Sequence, residues 1–135
     1  MKELKLTATV ESLDEVLAFI DAELESVDCP MKVQMQLDVA VEELYVNIAH
    51  YAYAPGTGEA TVSIDITQDP LNVTITFKDS GIPFDPTAKA DPDVTLSAQE
   101  RQIGGLGIYM AKKGTDEMKY EYKDGQNILS ISKKL

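Results

Sequence analysis

The chain has 135 residues, 44% of them hydrophobic, and its 23 acidic against 12 basic side chains give a formal net charge of −11. That length serves one domain burying about two-thirds of its unfolded surface, and the composition excludes intrinsic disorder. The acidic balance argues against duplex nucleic acid, whose affinity comes largely from Lys and Arg neutralising phosphates, and apolar runs of only a few residues exclude a membrane span.

Met1-Lys2-Glu3 leads straight into an alternating pattern with no signal-peptide core. Cys29 stands alone, so no disulfide can form within the chain, and a single histidine leaves no cluster for zinc. A cytoplasmic location is expected.

Residues 3 to 10 alternate, with Leu4, Leu6, Ala8 and Val10 on one side, which reads as a half-buried strand. Ser12 lies three residues before Glu15, the spacing of a capping box, and begins a helix with Leu13, Val16, Leu17, Ile20, Leu24 and Val27 on its buried face. Asp28-Cys29-Pro30 breaks it, and Pro30 suits the first turn of a second helix reaching about Tyr53. Val33, Leu37, Val41, Leu44, Ile48 and Tyr51 recur there at spacings of three and four, making this the longest regular element.

After the Ala54-Pro55-Gly56-Thr57-Gly58 turn come two alternating strands, one on Val62, Ile64 and Ile66, the next on Leu71, Val73, Ile75 and Phe77. Counting on by two from Phe77 lands on Asp79, so the pleat aims this carboxylate at the covered face of the sheet. Residues 87 to 103 show sparse apolar side chains with no period, and a helix from about Gly105 to Lys113 follows, ended by Gly114. Met118, Tyr120 and Tyr122 mark a strand, Asp124-Gly125 a hairpin turn, and Asn127 to Lys133 the closing strand. No repeat and no second composition block appears, so residues 1–135 read as a single α+β domain. The expected architecture is a two-layer α/β sandwich, with helices on one face of a mixed, mostly antiparallel sheet.

An acid at a strand end, a long irregular gap and glycines opening a helix together describe a nucleotide site with a flap. Glu43 and Asn47 project from the same side of the long helix. They are either a hydrogen-bonded pair on a solvated face, or a proton acceptor and an amide oxygen for a cation such as Mg²⁺. Asp79 is either a core acid satisfied by the amides of the Ser80-Gly81 turn or the acceptor for an exocyclic amine such as that of adenine. Gly81 fits both readings.

Gly104-Gly105-x-Gly107 at a helix start suits phosphate, attracted by bare backbone N–H groups and the helix dipole, or serves as a hinge. Neither a dinucleotide G-x-G-x-x-G nor a P-loop is present. Lys89, Arg101 and His50 lie where they could meet a nucleotide, but each is more often an ordinary surface side chain.

Taken together, Glu43-x-x-x-Asn47, Asp79-x-Gly81 and Gly105-x-Gly107 resemble the N-box and two glycine boxes of the Bergerat-fold (GHKL) ATP-binding superfamily. Glu42-Glu43-Leu44-Tyr45-Val46-Asn47, Asp79 to Pro86, Gly104 to Ile108 and Asp124-Gly125-Gln126-Asn127 look most like the anti-sigma-factor serine kinases of the RsbW and SpoIIAB type. The resemblance implies ATP and Mg²⁺ as cofactors, with Asn47 holding the metal and Glu43 acting as general base toward a substrate serine. Asp79 would bind the adenine amine, with Gly81 beneath the ring. Gly104, Gly105 and Gly107 would hold phosphates under a lid of roughly residues 85–104.

It further implies phosphorylation of an anti-sigma-factor antagonist protein, binding of a sigma factor and a homodimer, with no direct nucleic-acid or membrane contact. Some relatives place a His four residues after the N-box Asn, whereas His50 comes at three and carries no implied role. A nucleotide-dependent binding protein without phosphotransfer is the alternative. A detached histidine-kinase catalytic domain is a third reading, weakened because no helix presents a phospho-acceptor histidine.

Overall fold

The computed structural model describes residues 1–68, 70–86 and 105–135. In chain order they form β1 (Lys2–Thr7), a 3-10 turn (Val10–Ser12), α1 (Leu13–Glu25), α2 (Met31–Tyr51), β2 (Glu59–Thr67), β3 (Asn72–Asp79), α3 (Gly105–Lys113), β4 (Glu117–Lys123) and β5 (Gln126–Lys134). The strands make one five-stranded sheet in the order β1-β2-β3-β5-β4.

Every neighbouring pair is antiparallel, so the sheet is not mixed. The cause lies in the connections. The connection through α1 and α2 between β1 and β2 returns the chain reversed, whereas the connection that includes α3 between β3 and β4 leaves those two strands running the same way. They would pair in parallel if adjacent, but β5 folds back from β4 and takes the place between them. The turn that allows this is Asp124-Gly125, with φ of 54° and 76°, the double left-handed geometry of a tight hairpin.

The buried sheet face follows the alternation of the sequence. Val62 and Ile64 of β2, Val73, Ile75 and Phe77 of β3, and Leu129 and Ile131 of β5 pack against Val16, Ile20 and Leu24 of α1 and Leu37, Val41 and Leu44 of α2. Each such aliphatic side chain contributes about 1.5–3 kcal/mol by leaving water. The intervening residues of β3 are polar, as are those of β5 apart from Ile128, and the Thr76 and Ser130 hydroxyls meet across the ladder at 3.1 Å.

Helix α1 begins beside Ser12, but the expected capping box does not form. The Ser12 side chain caps no backbone N–H and lies 3.2 Å from the Thr9 hydroxyl. Helix α2 stops at Tyr51, short of Tyr53, and its buried stripe takes in Gln34, Ala40 and Tyr45 while Tyr51 is largely exposed. Tyr45 is buried because its hydroxyl has partners: it accepts from the Thr9 N–H at 3.1 Å and donates to the Thr9 carbonyl at 2.7 Å. That pair of bonds ties the middle of α2 to the segment just after β1. Burial pushes the Tyr45 hydroxyl pKa up.

Candidate functional site

Asp79 ends β3 with its side chain 5% exposed, where the strand phase puts it. Its Oδ1 accepts from the Gly81 N–H at 2.9 Å and from Asn127 Nδ2 at 3.0 Å. Among the described residues, Oδ2 has no hydrogen-bond partner. The turn amide therefore satisfies part of the carboxylate and leaves one oxygen available.

Gly81 owes its small size to helix α2. A Cβ added there would lie 2.2 Å from the Ala52 carbonyl oxygen, and the same carbonyl accepts from the Ile82 N–H at 2.9 Å. The turn after β3 is thus pressed onto the C-terminal end of α2, an approach only glycine permits. Tyr53, just past that helix, adds a second clamp: its hydroxyl accepts from the Ser80 N–H at 2.7 Å and donates to the Glu59 carbonyl at 2.6 Å.

Asn127 is the site residue that sequence reasoning missed as a side chain. It lies opposite Asp79 in the β3–β5 register and is 6% exposed. Besides reaching Asp79, its Nδ2 donates to the Ile82 carbonyl at 2.9 Å, and its Oδ1 accepts from the Phe84 N–H at 3.1 Å and from the Tyr120 hydroxyl. Burial, only partly offset by hydrogen bonding, raises the Tyr120 pKa. The signal was available: counting back by two from Ile131 and Leu129 lands on Asn127, the same argument that buried Asp79. An amide in a buried strand position is costly unless paired, so its presence there points to a network.

Asn47 and Asp79 open on one cavity, walled by Leu44, Phe84, Tyr120 and Asn127. Its walls are apolar apart from these few polar groups, the pattern of a small-molecule site. The enclosed space is about 40 Å³, room for little more than water. Asn47 is half-buried on the α2 side and presents a hard amide oxygen. Mg²⁺ in a nucleotide complex keeps several waters beside one or two protein oxygens and the phosphates, so this donor fits it. Among the described residues, no group of three or more His, Cys, Asp or Glu could hold a metal.

The remaining candidates are less gathered. Glu43 is half-buried one helical turn before Asn47, about 6 Å along the axis, and does not line the cavity. Gly105 and Gly107 open α3, whose Ile108 and Ala111 are buried. Gly104, Lys89, Arg101 and the proposed lid from residue 87 onward lie outside the described residues. His50 is exposed and meets the Tyr51 ring edge-on at 5.9 Å, away from the cavity lining.

Comparison with known proteins decides the family. The model of the histidine kinase-like ATPase domain matches residues 6–133, nearly the whole chain. The chain belongs to that family. The serine/threonine-protein kinase BtrW of Bordetella bronchiseptica is 26% identical over 101 residues, covering 75% of this chain and 70% of that protein. The serine-protein kinase RsbW of Listeria monocytogenes is 31% identical over 98 residues, covering 69% of this chain and 61% of RsbW. The chain thus spans about three-fifths of that relative's length. A chain of the SiaB–SiaC complex from Pseudomonas aeruginosa superposes with a TM-score of 0.62 at 20% identity, over 98% of this chain and 89% of that one.

The resemblance to RsbW-type kinases expected from the three sequence blocks is met by these relatives. The α+β fold, with helices packed on an antiparallel sheet, is that of histidine kinase-like ATPase domains.

Proposed function

We propose that this chain is an ATP-dependent serine/threonine protein kinase that acts as an anti-sigma factor in a partner-switching system. Its substrate would be an anti-sigma-factor antagonist protein, and its other partner a sigma factor held by a homodimer in the cytoplasm. The observation that carries the reading is the meeting of Asp79 and Asn47, from different elements, on one cavity. The naming of its relatives as serine-protein kinases supports it.

In this reading the 6-amino group of adenine donates to Asp79 Oδ2, above the turn that Gly81 allows to close on α2. Backbone N–H groups of Gly104, Gly105 and Gly107 face phosphate oxygens, aided by the α3 dipole. Asn47 presents its amide oxygen to Mg²⁺, which when bound offsets charge on the phosphates. Glu43 takes the proton of a substrate serine hydroxyl as its oxygen bonds to the γ-phosphorus. The bond from that phosphorus to the β–γ bridging oxygen breaks, and ADP leaves. Residues 85–104 cover the nucleotide, and residues 1–135 act as a single domain.

The position of Glu43 outside the cavity lining favours a second reading, a nucleotide-dependent binding protein that transfers no phosphoryl group. Incubation with labelled ATP, Mg²⁺ and the antagonist-like partner separates the two. Label on a partner serine or threonine supports the kinase; tight ATP binding without label supports the second reading.

A further inference from the structure

We propose that Asn127 is a positioning residue for base recognition, holding Asp79 so that Oδ2 alone is offered to the ligand. This rests on the reading of Asp79 as the adenine acceptor and assigns the device that aims it.

The Asn127 amide is fully committed. Nδ2 donates to Asp79 Oδ1 at 3.0 Å and to the Ile82 carbonyl at 2.9 Å, while Oδ1 accepts from the Phe84 N–H at 3.1 Å and from the Tyr120 hydroxyl. A longer contact of 3.5 Å reaches the Gly81 carbonyl. Only one orientation of the amide satisfies these groups. Rotated by half a turn, its oxygen would face a carboxylate and a carbonyl, and its NH₂ would face a backbone N–H. With no spare donor or acceptor, Asn127 is not itself arranged to bind a ligand.

What it does is fix two things at once. Together with the Gly81 N–H it occupies both accepting directions of Asp79 Oδ1, which leaves the carboxylate no freedom to turn. It also pins the backbone of Ile82 and Phe84, which form the cavity wall beside that carboxylate. The acceptor and the wall against which a base would lie are thereby held in register by one side chain. A ligand is then selected for an N–H donor at one point, which a 6-amino purine has and an unsubstituted purine lacks.

The test is a ligand comparison on the whole chain. Binding of ATP and of purine riboside 5′-triphosphate, which lacks the 6-amino group, is measured by calorimetry for wild type, Asp79→Asn and Asn127→Leu. Wild type is expected to prefer ATP by about 10- to 100-fold, the worth of a charge-assisted hydrogen bond. In Asn127→Leu that ratio is expected to fall to within about threefold of unity, because Oδ2 is no longer aimed. A purely structural role would weaken both ligands alike and keep the ratio, and that result overturns the proposal.

Asp79→Asn separates the two layers of the argument. If it retains the wild-type ratio, the adenine reading itself falls. If it loses the ratio while Asn127→Leu keeps it, only the positioning role falls. Should Asn127→Leu fail to fold, Tyr120→Phe removes a single donor to Asn127 Oδ1, and a ratio reduced severalfold is expected. An unchanged ratio in Tyr120→Phe would then count as the overturning result.

Discussion

Asp79 and Asn127 face each other across the β3–β5 ladder, and the amide of one donates to the carboxylate of the other at 3.0 Å. Neither strand alone makes the site. β3 delivers the acid to its tip, and β5, arriving by a hairpin from β4, delivers the group that orients it. The interior position of β5, between β3 and β4, is what brings the two together.

The contact between Gly81 and α2 gives the sharpest prediction of stability. A Gly81→Ala methyl would sit 2.2 Å from the Ala52 oxygen, and backing away would break the Ile82–Ala52 hydrogen bond. The expected cost is about 1–3 kcal/mol, the usual range for overpacking against backbone. Urea denaturation measures it; a midpoint equal to wild type would show that the turn does not rest on the helix as described.

Tyr45→Phe should destabilise the protein by about 1–2 kcal/mol. The loss removes one of two partners from the Thr9 N–H and from its carbonyl, which keep the Thr7 carbonyl and the Ser12 N–H, and so costs the hydroxyl's own hydrogen bonds at the buried Tyr45 position. Thermal or chemical unfolding checks this. Wild-type stability in the variant would mean that water replaces the hydroxyl freely.

Among the described residues, the buried Oδ1 atoms of Asp21 in α1 and Asp38 in α2 have no hydrogen-bond partner. Burial, then the adjoining Asp21 carboxyl and the nearby charge of Glu25, pushes the Asp38 pKa from 3.8 up to about 7. A raised carboxyl pKa means the folded state holds the proton more tightly than the unfolded state. The associated stability is fully present below pH 3.8 and is lost as pH rises through about 7. Stability should therefore fall between pH 5 and pH 8 relative to Asp38→Asn, by about 1 kcal/mol once solvent screening of a half-exposed pair is allowed for. Parallel pH profiles for the two proteins would contradict the raised Asp38 pKa.

Glu43→Gln tests the proposed chemistry apart from binding. ATP affinity should stay within about twofold, while transfer to the partner protein falls by about 10²–10⁴-fold, the span for a general base. Transfer at the original rate would make Glu43 structural, whatever the fate of the nucleotide site.

Much of this was legible in the sequence because alternation and helical period are local. Asp79 was placed on the covered face by counting from Phe77, and Leu37, Val41, Leu44 and Ile48 by their spacing. What depended on partners distant in the chain was not legible. Tyr45 looked like any helical aromatic until Thr9, 36 residues away, supplied its hydrogen bonds. Gly81 fits a tight turn and a close ligand equally in the sequence, because nothing local shows that Ala52 presses on it.

The mostly antiparallel character of the sheet is legible from its hairpins, but not that every pair is antiparallel, since strand order is set by which strand fills the gap beside β3. Ser12 illustrates the reverse: the capping-box spacing is present, but the preceding 3-10 turn takes the hydroxyl elsewhere.

The most direct test is a crystal structure with a non-hydrolysable ATP analogue and Mg²⁺. The adenine amine is expected within about 3 Å of Asp79 Oδ2 and the metal on Asn47 Oδ1, with Asn127 keeping its bonds to Asp79 and Ile82. A nucleotide bound elsewhere, with Asp79 and Asn47 both untouched, would contradict the account.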